Sequence, residues 1–198
     1  MKWFLITMIL LLPLFGYEPN DIKKLFEQEE CVGCDFSGVD FSKKDLSGYD
    51  ITDSNFENAN LSQTNFFMSD LQGSNFKNTN LKEAIFWKAN LSFCDLTKVD
   101  AKKANFKGAN LQSVTLYRSD FSYSVSWKAD FSDASIELSN FKNSELGSAK
   151  FYNNELSNSD FTGAILWETQ FKDTILTKKQ CNEAKKEEAI FKKGVICE

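Results

Sequence analysis

The sequence predicts a solenoid, a chain that turns a corner every five residues and stacks its turns along one axis. Three columns carry that reading. Stepping by five from Phe36 to Leu176 gives 29 positions, which hold 13 Phe, 12 Leu and two Ile; only Ala101 and Ser126 depart from the pattern. Two residues before each centre the side chain is small, as at Ala59, Thr64, Ser69 and Ser74, and only Lys44, Tyr49 and Asn154 break that column. One residue before each centre, Asp or Asn fills 19 of the 29 positions.

A spacing of five matches neither the period of about 3.6 of a helix nor the period of about 2 of a flat strand. A chain with regular corners satisfies it if the centre and the small residue two before it both face inward. The Asp or Asn between them then serves the turning backbone, as short polar side chains do in tight turns. The pattern small–Asp/Asn–Leu/Phe–x–x strongly resembles the pentapeptide-repeat proteins, over residues 34–178. That resemblance implies an all-β fold, a right-handed quadrilateral β-helix with about twenty residues in each coil. Residues 34–178 would then wind about seven coils into a rod ~35 Å long. Sorted by twenty, the phenylalanines fall into columns: Phe36, Phe56 and Phe76, with Phe66, Phe86 and Phe106 opposite. Farther on they switch to Phe121, Phe141 and Phe161, with Phe131, Phe151 and Phe171. Ala101 and Ser126 lie at the switch, which is therefore expected to be the least well packed coil.

The flanks are of another kind. Residues 1–16 begin with Lys2 and continue as the apolar run WFLITMILLLPLF, which is long enough for a signal-peptide core and short for a membrane span. Export to the periplasm or the cell exterior is the expectation; an uncleaved segment would be the only route to a membrane. Residues 17–33 read as an N-terminal helical cap started by Asn20 or Asp21, with Ile22, Leu25 and Phe26 on one face. Residues 179–198 read as a C-terminal helical cap in CNEAKKEEAIFKK, with Ala184, Ile190 and Phe191 packing inward. Both caps would cover core and strand edges that a solenoid otherwise exposes. For an exported chain the end-clustered cysteines pair locally, Cys31 with Cys34 and Cys181 with Cys197, because the rod is too long to bridge end to end. Cys94, in the small column, is expected to be a buried free thiol.

Catalysis finds little support. The chain has no histidine, which removes Ser-His-Asp and Cys-His nucleophiles and histidine-bearing zinc sites. No glycine-rich phosphate loop follows a strand. The expectation is a non-enzyme with no cofactor, no metal and no nucleic-acid ligand. The family resemblance also implies an alternative, since some pentapeptide-repeat proteins bind DNA gyrase by imitating duplex DNA. That role asks for a strongly acidic rod in the cytoplasm, whereas residues 35–177 hold 19 acidic and 14 basic side chains. A protein-binding or scaffolding role, with another protein or a second copy as partner, fits better. Its candidate surface is a stripe of outward residues in AIFWKA, SVSWKA and AILWET: Ile85 with Trp87, Val125 with Trp127, and Ile165 with Trp167, extended by Phe67 and Met68. Ile and Val here replace the usual Asp or Asn, so apolar side chains recur on one side every forty residues.

Overall fold

The computed structural model describes residues 18–198, so the signal-peptide reading of residues 1–16 lies outside the described residues. The repeat region is a parallel β-solenoid. With one exception inside the ladder, residues before a centre pair with the residue twenty positions on, as in Asp35 with Asn55, Asn55 with Asn75 and Asn75 with Asp95. Where pairing extends, short parallel strands form: β1 (Thr115–Tyr117) with β2 (Ser135–Glu137), and β3 (Lys150–Tyr152) with β4 (Gln170–Lys172). β5 (Ile175–Leu176) completes the repeat region.

The five-residue period follows from the corners. After most centres comes a turn closed by a backbone bond of the kind Val39 N to Phe36 O, 3.1 Å; at Cys34, Ser54, Ser119 and Ser139 the amide instead donates to a serine hydroxyl one coil on. The turn's third residue has positive φ at every repeat from Gly33 to Asp173 except Asn158, as a type II turn requires. Most of these residues are not glycine, and the left-handed conformation costs about 1–2 kcal/mol at each. Cross-coil bonds from the same residues, such as Lys43 N to Ser62 O at 3.0 Å, offset that cost.

Each column has its own task. The carboxylate of Asp35 accepts from Ser37 N at 3.0 Å, the local side-chain-to-backbone bond characteristic of such turns. It also accepts from Asn55 Nδ2 at 3.1 Å, and Asn75 Nδ2 donates in turn to Asn55 Oδ1 at 3.0 Å, so the polar column bonds along the rod. In the small column, hydroxyls satisfy carbonyls of the preceding coil: Thr64 donates to Phe41 O and Thr79 to Phe56 O, both at 2.8 Å. The centres form the core. Phe66, Phe86 and Phe106 stack with ring centroids 5.0 Å apart, and Phe131 stacks on Phe151 at 4.9 Å.

At the column switch the core stays closed to solvent. Ala101 and Ser126 are fully buried, and the rings of Phe106 and Phe121 approach to 5.0 Å. Phe106 lies below Ser126 and Phe121 above Ala101, so the two small centres flank the place where one aromatic stack hands over to the other.

Helix α1 (Pro19–Gln28) precedes the first coil, with Leu25 buried and Phe26 edge-on to Phe41 at 5.7 Å. Neither Asn20 nor Asp21 is its N-cap. Glu18 holds that position, Pro begins the helix, and Asp21 Oδ2 instead accepts from Asp35 N at 2.8 Å. Helix α2 (Lys178–Lys186) starts from Thr177 in a capping box with Gln180, the reciprocal arrangement that satisfies two end donors. It is shorter than the sequence implied. Ile190 and Phe191 leave the helix and form β6, paired with Gln170 and Phe171 of β4, while β7 (Ile196–Cys197) pairs with β5. The physical reason is the core: Phe191 extends the Phe171 column at 5.7 Å, which a continued helix would forgo. Disulfides join Cys31 to Cys34 and Cys181 to Cys197, with Cα atoms 5.7 and 6.1 Å apart. Cys94 is free and buried, its Sγ 3.0 Å from Leu71 O, and burial pushes its thiol pKa well up, leaving it unreactive.

The ladder has one gap. Asn154, large for the small column, donates its Nδ2 to Phe131 O at 3.0 Å and to Ala134 O at 2.8 Å. Its Oδ1 is buried without a partner. Among the described residues, no pairing joins Ser135 to Glu155, although Thr115 pairs with Ser135 and Glu155 with Ile175.

Candidate protein-binding face

Phe67, Ile85, Trp87, Val125, Trp127, Ile165 and Trp167 flank centres of one column and lie on one side of the rod. The polar column there reads Asn65, Ile85, Asn105, Val125, Glu145 and Ile165, each bridged to the next. Val125 keeps this register and Ser126 stays buried, so the chain does not slip at Ser126.

The stripe is not continuous. Phe67 packs against Trp87 with ring centroids 4.9 Å apart, and Ile85 and Trp87 are 38% and 40% exposed. With the exposed Met68 they form one patch. The next coil carries Asn105 and Lys107, which interrupt it. A second patch follows, where Ile165 and Trp167 are each 43% exposed and Trp127 lies 5.9 Å from Trp167.

Trp127 differs from its two counterparts. It bridges two coils by lying across Gly147: a Cβ on Gly147 would stand 2.3 Å from Trp127 Cζ3. Its indole N–H donates to Glu145 Oε2 at 2.8 Å, and both Trp127 and Val125 are partly buried. Outward direction was readable from the repeat, but this pinning was not. Its only signal is Gly147, twenty residues beyond Trp127.

Elsewhere in the polar column, the aspartates from Asp95 onward are ion-paired, whereas Asp35, Asp40, Asp45, Asp50 and Asp70 are not among the described residues. Lys77 pairs with Asp95 at 2.9 Å, Lys82 with Asp100 at 3.1 Å, Lys102 with Asp120 at 3.2 Å and Lys142 with Asp160 at 3.0 Å. Among the described residues, Asp21, Cys31 and Cys34 bring metal-ligating atoms within 4.8 Å of one another. The two sulfurs are bonded to each other and Asp21 serves the Asp35 amide, so the arrangement is that of a staple beneath α1. No helix among the described residues is long and apolar enough to cross a membrane.

Comparison with known proteins agrees with the repeat. The pentapeptide repeat region model matches residues 49–127, and the model of eight pentapeptide repeats matches residues 30–66, 129–167 and 139–178. No curated protein matches the chain. Among solved structures, a trypsin-treated form of QnrB1, a plasmid-mediated fluoroquinolone resistance protein, is 18% identical with a TM-score of 0.64, covering 85% of this chain and 89% of its own. HetL from the cyanobacterium Nostoc, involved in heterocyst differentiation regulation, is 18% identical with a TM-score of 0.35, covering 89% of this chain and 91% of its own. At such identities the QnrB1 likeness speaks for the fold alone. The repeat columns, their twenty-residue pairing and the two matching models together place this chain in the pentapeptide-repeat family.

Proposed function

We propose that the chain is an exported, non-catalytic protein-binding rod of about seven coils, closed by helical caps and displaying two apolar patches on one face. The observation that carries the reading is the pair of patches, Phe67–Ile85–Trp87 and Ile165–Trp167, in which Ile85 and Ile165 take the position that the repeat usually gives to Asp or Asn. Half-exposed tryptophan flanked by aliphatic side chains is the composition of a binding hot spot. The apolar run of residues 1–16 and two local disulfides support an oxidising compartment outside the cytoplasm. A DNA-imitating modulator of gyrase or topoisomerase is the weaker reading, because 14 basic side chains accompany the 19 acidic ones over residues 35–177 and the apolar N-terminal run points to export.

The test expresses the full chain with its native N-terminus, fractionates the cells and sequences the recovered protein. A chain beginning near Tyr17 in the exported fraction supports the reading; a full-length cytoplasmic chain overturns export. Sedimentation and cross-linking in that compartment then compare wild type with the Trp87→Ser/Trp167→Ser double variant. Loss of self-association or partner capture in a folded variant supports the face, and unchanged association overturns it.

A further inference from the structure

The gap at Asn154 lies on the side of the rod away from the tryptophans, ten residues round the coil from the Ile165–Trp167 column. Coil boundaries on that side are closed by regular backbone bonds: Phe56 N to Asn75 O at 2.7 Å and Asn58 N to Lys77 O at 2.9 Å, and later Leu96 N to Thr115 O at 2.9 Å and Lys98 N to Tyr117 O at 2.8 Å. The corresponding donors at the gap are Ile136 N and Leu138 N, and the acceptors are Glu155 O and Ser157 O. Among the described residues, no bond joins them. The Asn154 side chain has taken Ala134 O, the acceptor that Glu155 N would use by the rule of Ser135 N to Val114 O, 2.9 Å, one coil earlier. Asn158, on the far lip, is the repeat's one third-turn residue without positive φ.

Loss of these bonds leaves a groove of about 310 Å³ lined by Ala134, Ser135, Ile136, Glu137, Glu155 and Asn158. Glu137 and Glu155 are exposed there; neither carboxylate has an ion-pair partner among the described residues, and Glu155 Oε1 accepts only a long bond from Ser157 Oγ at 3.4 Å. The groove therefore presents two carboxylates without ion-pair partners, with the Glu155 carbonyl and the Ile136 N–H released from the ladder between them, and the buried, unpartnered Asn154 Oδ1 lies behind its wall.

We infer that this gap is a socket for an arginine side chain of a partner protein. Its two carboxylates call for a cation with many donors. A guanidinium offers five N–H groups in a planar fork, enough to meet the carboxylates and the Glu155 carbonyl together, whereas an ammonium is a compact charge with three. The fold makes the socket without inserting a residue: one oversized polar side chain in the small column opens one coil boundary, and the repeat closes again on either side.

The probe is the peptide acetyl-Gly-Arg-Gly-amide, with its uncharged citrulline counterpart as control, titrated into the oxidised chain while backbone amide NMR shifts are followed. Saturable shifts at Ile136, Leu138 and Glu155 with the arginine peptide are expected. Affinity should fall about tenfold or more in Glu137→Gln/Glu155→Gln, which leaves the backbone alone. Asn154→Ser, which restores the column's residue type, should close the ladder, slow hydrogen exchange at Ile136 and Leu138, and abolish the shifts. Equal binding of the citrulline peptide, shifts that never saturate, or undiminished binding by a ladder-closed Asn154→Ser variant would each overturn the proposal.

Discussion

Trp87 and Trp127 occupy the same place in the repeat, each following a centre and followed by Lys-Ala, yet they live differently. Trp87 stands over Phe86 in an unbroken aromatic stack, rests its ring against Phe67 and remains 40% exposed. Trp127 stands over Ser126, where that stack has ended, and lies down across Gly147 with its N–H on Glu145. In a solenoid, a side chain's direction is set by its own repeat, but its availability is set by the residue one coil away. Trp87 keeps ring surface open to solvent, whereas Trp127 joins its coil to the next and packs against Trp167.

The largest expected difference lies beneath the two rings. Phe86→Ala removes the middle of a three-ring stack and should cost about 3–5 kcal/mol through transfer and cavity terms. Ser126→Ala should change stability by about 0.5 kcal/mol or less, since its hydroxyl is only 3.5 Å from that of Ser124 and gains little from it. Urea denaturation of both variants measures the contrast. Comparable losses would mean that the column switch at Ser126 is as tightly determined as the stack below it.

Gly147→Ala comes next. The new methyl must displace Trp127, and overpacking of this kind costs about 1–3 kcal/mol. Because the clash is with one side chain, Trp127→Ala should rescue it: in that background Gly147→Ala should be near neutral. A double-mutant cycle that shows simple additivity would break the comparison, since Gly147 would then be required for its backbone and not for Trp127.

That coupling also marks how far the sequence could be read. The core was legible because a five-residue pitch fixes which side chains face inward, and the columns Phe66–Phe86–Phe106 and Phe131–Phe151–Phe171 stack as their spacing of twenty implies. Neighbour effects between coils were less legible. Trp127 over Gly147 depends on which rotamer crosses a coil boundary, and Ile190–Phe191 left the expected helix because a strand position offered Phe191 the end of an aromatic column. Asn154 stood out as an exception in the sequence, but the groove arises only because its amide captures Ala134 O in place of the Glu155 backbone.

Acid should separate the faces by a smaller margin. At Asp120 and Asp130, burial disfavours ionisation, but bonds from Ser122 and Ser132 and from Lys102 and Lys150 outweigh it and hold both carboxyls below their ordinary value of 3.8. Asp160, with Thr162 and Lys142, is shifted the same way. A carboxylate whose folded pKa is depressed contributes stability above its unfolded pKa and loses it as pH falls through the folded value. The rod should therefore weaken as pH drops below 3.8. From Asn65 to Ile165 the polar column on the tryptophan face has no aspartate, so amides around Asp120 and Asp160 should lose exchange protection before those around Asn105 and Val125. Simultaneous loss on every face would show that unfolding is global and conceals the difference.

The smallest stability effect belongs to the residues offered as the binding surface, which is what makes them informative. Trp87→Ser and Trp167→Ser remove ring surface that is already close to half exposed, and each should cost about 1 kcal/mol or less. Trp127→Ser should cost more, because it also abandons the bond to Glu145 and uncovers the bare backbone of Gly147. Binding should rank the other way. The two exposed rings can be desolvated by a partner, so their loss should weaken association by more than the loss of Trp127, whose ring is largely committed within the chain. Thermal melts and association measurements on the three single variants give both rankings. If Trp127→Ser were the least destabilising and the most damaging to association, Trp127 would be the anchor, and Gly147 would serve to keep its ring in place for the partner.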